Sequence, residues 1–116
     1  MNTIYEDEIA VLIPCLNEES TVGSVVTSFR KYFPTARIYV FDNNSDDNTA
    51  SFAIDAGAFI VNIPTRGKGN VLREMFRRVS AEIYILVDGD DTYFAEDAPQ
   101  MVDLLIKDQL DMVVGD

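Results

Sequence analysis

Ile83-Tyr84-Ile85-Leu86-Val87-Asp88, running straight into Gly89-Asp90-Asp91-Thr92-Tyr93, is the stretch that decides the fold. Its apolar residues follow one another without alternating with polar ones. That is the signature of a strand covered on both faces, as in a parallel sheet. Parallel neighbours need crossover connections, so helices should separate the strands. Working upstream, Asn70 to Val79 has a helical pattern, preceded by the loop Pro64 to Gly69 and a strand from Ala58 to Ile63. A helix capped by Asp46 or Asp47, with Ala50, Phe52, Ala53 and Ala56 apolar, is stopped by Gly57. Before it, Arg37 to Asp42 is a strand. Ser20 or Thr21 caps a helix through about Tyr32, with Val22, Val25, Val26 and Phe29 on one face and Pro34 beyond its end. Ile9 to Pro14 is the first strand. Downstream, a helix is expected over roughly Ala95 to Lys107, with Pro99 in its first turn, and Met112 to Val114 opens a fifth strand. This βαβαβαβ order predicts an α/β three-layer sandwich with a mainly parallel central sheet, and a single domain over residues 1–116.

The 116 residues carry 20 acids against 9 bases and no histidine, a formal net charge of −11. Nucleic acid is an unsuitable partner, because phosphate backbones are held by clustered Lys and Arg. A small phosphorylated ligand remains compatible if a divalent cation lies between it and the acids. At 47% apolar residues the chain can bury a core. The one cysteine, Cys15, has no internal disulfide partner and reads as a small buried residue. Met1 to Glu8 lacks the basic start of a signal peptide, and no apolar run has the length of a membrane span. The expected location is the cytoplasm.

In open parallel sheets ligands sit beyond the carboxyl ends of the strands, and the polar clusters of this chain fall at those ends. Asp88 and Asp90, with Asp91 nearby, can share one Mg²⁺ or Mn²⁺, since three adjacent carboxylates repel one another without a cation. The plainer alternative is a solvated acidic turn. In Asp42 to Thr49 (DNNSDDNT), Asp42 and Asn43 can read a nucleobase edge, or the segment is simply a turn and helix cap. Arg66-Gly67-Lys68-Gly69-Asn70 joins cations to glycines before a helix and suits a phosphate, although a bare loop explains it equally. Asn17, Glu18 and Glu19 can hold a ribose or base, or merely favour the dipole of the next helix.

Taken in order, IPCLNEES (13–20), FDNNSDDNTA (41–50), RGKGNVLR (66–73) and LVDGDDTY (86–93) resemble the family 2 glycosyltransferases of the GT-A fold. The likeness is strongest to the branch related to dolichyl- and polyprenyl-phosphate sugar transferases. It covers almost the whole chain. The resemblance implies that Asp88 and Asp90 are the DxD pair, holding a divalent metal on the diphosphate of a nucleoside-diphosphate sugar. It implies that Pro14, Leu16 and Glu18 line the base and ribose pocket, completed by Asp42 and Asn43. Gly67, Lys68 and Gly69 match the loop near the phosphates. Where the family often has Asp-Asp-Gly-Ser, this chain has Asp42-Asn43-Asn44-Ser45, which leaves the base open. The resemblance further implies inverting transfer in cell wall or polysaccharide biosynthesis, with polyprenyl phosphate one acceptor it suggests. The chain corresponds to the truncated, donor-binding half of such an enzyme, so the catalytic base is expected outside it.

Two other functions fit parts of the sequence. Asp88-Gly89-Asp90-Asp91-Thr92 matches the DxDxT motif of haloacid-dehalogenase-type phosphatases, with Asp88 as nucleophile and Asp90 as acid/base, but only 24 residues remain for the rest of that site. A nucleotide-binding module without turnover would use the same loops.

Overall fold

The structure, a computed structural model, describes residues 8–87 and the backbone of residues 112–115. Five strands form one sheet: β1 (Ile9–Cys15), β2 (Arg37–Asp42), β3 (Phe59–Asn62), β4 (Ile83–Val87) and β5 (Met112–Gly115). Three helices connect the first four: α1 (Val22–Tyr32), α2 (Thr49–Asp55) and α3 (Lys68–Arg78). The strand order is β3-β2-β1-β4-β5, and every neighbouring pair is parallel. The helix expected over 95–107 lies outside the described residues.

Alternate side chains of the central strands enter opposite layers. Val11 and Ile13 of β1, Ile38 and Val40 of β2, and Ile83 and Ile85 of β4 pack with Val22, Val25, Val26 and Phe29 of α1 and Ala53 of α2. Ala10, Leu12, Phe41 and Leu86 face the other way, onto Val71 and Met75 of α3. Both faces of β1, β2 and β4 are therefore covered, and this is why their sequences do not alternate. Strand β3 differs. It is an edge strand, and Phe59 is 57% exposed.

The α1 face is the one expected, and the helix stops at Tyr32, one residue before Phe33-Pro34, since the residue preceding proline avoids helical geometry. Arg30 closes that end by donating to the carbonyls of Pro34 (3.0 Å) and Ala36 (2.6 Å). Thr21 takes the N-cap position but makes no side-chain cap bond. Helix α2 departs further from expectation. Its N-cap position is Asn48, which makes no side-chain cap bond; the expected Asp47, one residue earlier, makes the cap-type bond, accepting from Thr49 N (3.0 Å) and from the Thr49 hydroxyl. Only Thr49 and Ala53 are buried on it, whereas Phe52 is 45% exposed. Gly57 ends it as expected. At φ 103° it lets Gly57 N reach Ile54 O and Ala58 N reach Ala53 O, closing the last turn.

Candidate functional site

With strands ordered 3-2-1-4-5, the chain leaves β1 towards one side of the sheet and later crosses to the other side to form β4. The topological switch point lies between β1 and β4, where an open sheet leaves a crevice at its carboxyl edge. Three loops meet at that edge: residues 16–21 after β1, 43–48 after β2 and 63–67 after β3.

The first two loops are laced together. Asn17 N donates to Ser45 Oγ (2.9 Å) and Asp46 N donates back to Asn17 Oδ1 (2.8 Å). Glu18 N donates to Thr49 Oγ1 (2.9 Å), Glu19 N to Asp47 Oδ2 (3.2 Å), and Asn48 N to Glu19 Oε2 (3.2 Å). Asn17 (φ 57°) and Asn44 (φ 62°) hold left-handed turns, a conformation asparagine tolerates better than most residues. Burial raises the Asp47 carboxyl pKa, but donors from the Thr49 side chain and from the Thr49 and Glu19 backbones outweigh it. The group ends below the usual carboxylate value. The backbone that frames the site is thereby fixed before any ligand arrives.

Between these loops and the start of α3 lies a cavity of about 280 Å³. Six of the residues expected at a donor site line it: Pro14, Leu16, Glu18, Asn43, Gly67 and Lys68. Cys15 and Val71 complete the lining. Neither was among the expected site residues, and only their positions beside Pro14 and one turn past Lys68 could have pointed to them. Pro14, Cys15, Leu16 and Val71 make the wall largely apolar, while Glu18 and Lys68 bring one charge of each sign.

Asp42 and Gly69 do not line the cavity. The Asp42 carboxylate accepts from Ser45 N (3.1 Å) and from the Ser45 hydroxyl, so one of its oxygens holds its own turn. Gly69 lies inside α3, which begins at Lys68 rather than near Asn70. Glycine's poor helix propensity hides that first turn in the sequence. What was expected to be a loop is a helix N-terminus. It has no side-chain cap, and Lys68 sits on its first turn. An uncapped helix start presents free N–H groups and partial positive charge, which suits an anion.

Asn43 is only 5% exposed, and its amide is committed internally. Nδ2 donates to Ile63 O (3.0 Å) and Thr65 O (2.9 Å), while Oδ1 accepts from Gly67 N (2.9 Å). Both donors and one lone pair are used within the protein, and the residue lines the cavity. Arg66 adds a second tie, donating to Asn44 O (2.8 Å) and pairing with Asp46 (2.7 Å).

Asp88 and Asp90, expected to hold a metal, lie outside the described residues. Among the described residues no group of three or more His, Cys, Asp or Glu side chains could hold an ion. In the sequence Asp88 and Asp90 come directly after β4, which pairs with β1, and the end of β1 lines the cavity.

Residues 10–116 match the model of glycosyl transferase family 2. The chain is 59% identical to protein RfbJ of Shigella flexneri over 92% of its own length and 83% of that protein's. It is 31% identical to a dolichyl-phosphate hexose transferase of Haloferax volcanii, over 95% of this chain but 48% of the relative. A solved glucosyl-3-phosphoglycerate synthase from Mycobacterium tuberculosis, in complex with Mn²⁺, UDP and glucosyl-3-phosphoglycerate, superposes with a TM-score of 0.75 at 31% identity, over 84% of this chain and 39% of that one. The α/β sandwich is thus the GT-A fold, and the phosphatase reading of the DxDxT stretch falls with it. Sheet order, motif order and family match agree: the chain belongs to glycosyl transferase family 2.

Proposed function

We propose that residues 1–116 form the donor-binding unit of a glycosyltransferase that moves a sugar from a nucleoside diphosphate to an acceptor. The observation that carries this reading is the cavity at the switch point, with an apolar wall on one side and the uncapped start of α3 with Lys68 on the other. The flat face of a base suits Pro14, Leu16 and Val71. Ribose hydroxyls can donate to Glu18. The diphosphate suits Lys68 and the helix end. At about 280 Å³ the cavity is at the small end of ligand sites, which fits a nucleoside with the sugar lying beyond it, towards the end of β4.

Asp88 and Asp90 are the residues that would hold Mg²⁺ or Mn²⁺ on the diphosphate. When bound, such a cation stabilises the charge of the departing nucleoside diphosphate. The solved synthase in complex with UDP and Mn²⁺ supports a divalent cation at a donor site of this fold. An acceptor oxygen then attacks the anomeric carbon as the bond to the diphosphate breaks, and one such displacement inverts the configuration. The relative named a dolichyl-phosphate hexose transferase makes polyprenyl phosphate the acceptor class to try first.

Calorimetric titration with UDP, GDP and dTDP in Mn²⁺ tests the reading. At least one should bind, and Lys68→Ala should weaken it about tenfold, the loss of one charge-assisted hydrogen bond. Failure of all three to bind would contradict it.

A further inference from the structure

We infer that α3 carries a second anion site, separate from the donor cavity, which takes the phosphate of a phosphate monoester between Arg73 and Arg78. A cavity of about 290 Å³ lies there. Asn70, Arg73, Glu74 and Arg78 of the helix and Thr65 of the preceding loop line it, over an apolar floor of Ile63 and Pro64. Its lining and that of the donor cavity share no residue. Asn70, Glu74 and Arg78 recur every four positions and so form one face of α3, while Lys68 and Val71 look into the donor cavity.

The charge here runs against the rest of the chain. Five of the nine bases of a chain with net charge −11 fall within residues 66–78, against the single acid Glu74. Most of the five have a local explanation. Arg66 pairs with Asp46, and Lys68 lines the donor cavity. Arg77 and Arg78 stand in the last turn, where the helix dipole favours cations, and they reach Glu74 at 3.3 and 3.4 Å. Arg73 has neither reason to be basic. It lies mid-helix, and the residues three and four positions to either side are Gly69, Asn70, Phe76 and Arg77, none of them acidic. It makes no hydrogen bond or ion pair with any described residue.

Glu74 meets Arg78 through Nε, which leaves both terminal nitrogens of Arg78 for a ligand. The cavity therefore offers two guanidinium groups against one carboxylate, and that carboxylate is already shared with Arg77. A phosphate monoester brings three terminal oxygens, one set for each guanidinium and one for the Thr65 hydroxyl, and guanidinium forks match its geometry. Ile63 and Pro64 suit the carbon part of the ester. A carboxylate has fewer oxygens and less charge to satisfy the same groups.

Inorganic phosphate, titrated into the full chain at ionic strength held constant with chloride, tests the site through the arginine Nε–Hε resonances. Those of Arg73 and Arg78 should shift together on one saturating curve. Arg30 and Arg37, which are held by backbone carbonyls, should stay still. Arg73→Gln should keep the melting temperature, since the side chain is exposed and unpaired, and weaken phosphate about tenfold. Lys68→Ala should leave these shifts intact. Equal movement of all the arginines, or no saturation, would mean charge screening alone and would overturn the site. So would loss of the shifts in Lys68→Ala, which would return the phosphate to the donor cavity. Glycerol 3-phosphate and a short-chain phosphatidic acid then separate the sources. Tighter binding of the first than of free phosphate identifies a soluble ester, and tighter binding of the second a lipid headgroup. Failure of both where free phosphate binds would overturn the ester class. None of these readings depends on nucleotide binding, so the site and the donor reading can fail separately.

Discussion

Gly67 is held at φ 142°, ψ 125°, and a Cβ placed there would meet Asn70 Nδ2 at 3.1 Å. Backbone in this region is strained for any residue with a side chain. Gly67→Ala should therefore destabilise the chain by about 1–3 kcal/mol, read from denaturant midpoints, whereas Gly69→Ala meets nothing within 4 Å and should be tolerated. Asp47 makes a pH prediction. Its carboxyl is held below the ordinary value because donors from Thr49 and Glu19 favour the charged form over the opposing effect of burial. A carboxyl lowered by folding adds stability above its unfolded pKa, and that contribution is lost as pH falls through the folded one. Carbon-detected titration should place Asp47 below the ordinary carboxyl value, and Thr49→Ala should move it back up. At this scale the sequence was informative about residue type and less so about role. Lys68 and Glu18 stand at the cavity as their chemistry suggested, while Asp42 and Asn43 hydrogen-bond within the protein. Bonds to residues twenty or more positions away, such as Asn43 to Ile63 O and Thr65 O, leave no trace in local spacing.

Helix α3 is docked chiefly through Val71 and Met75, both buried, beneath an outer face rich in charge. Met75→Ala should cost about 2–5 kcal/mol, as large-to-small changes in a packed core do, and should loosen nucleotide binding because the same helix supplies Lys68. Phe52→Ser on α2 should cost much less, about 1 kcal/mol or below, since that residue is nearly half exposed. Thermal unfolding of the two variants checks the contrast. The elements most legible in advance were β1, β2, β4 and α1, whose apolar residues are nearly all buried on a covered layer. Helix α2 was legible as an element stopped by Gly57, but not in its packing, because its apolar residues follow no single stripe. With only Thr49 and Ala53 buried, its packing is set by neighbours rather than by its own pattern. The first turn of α3 was missed for a different reason, two glycines at a place where tertiary bonds to Asn43 override weak propensity.

At the scale of the molecule, continuous apolar strands separated by helices dictate a parallel sheet covered on both sides, and the order β3-β2-β1-β4-β5 follows from crossovers that change side once. Because neighbouring strands run parallel, the loops after β1, β2 and β3, far apart in sequence, lie at one edge. The fold was therefore readable from strand character and element order alone. The geometry of the site was readable only in part, because it depends on which loops touch. In the function proposed above, this edge binds a nucleoside diphosphate through a divalent cation held by Asp88 and Asp90. Titrating UDP, GDP and dTDP into the chain in Mn²⁺, after chelation, and with Asp90→Ala tests it most directly. Binding should be abolished by chelation and weakened at least tenfold by Asp90→Ala. Binding of equal strength with and without the metal would contradict it.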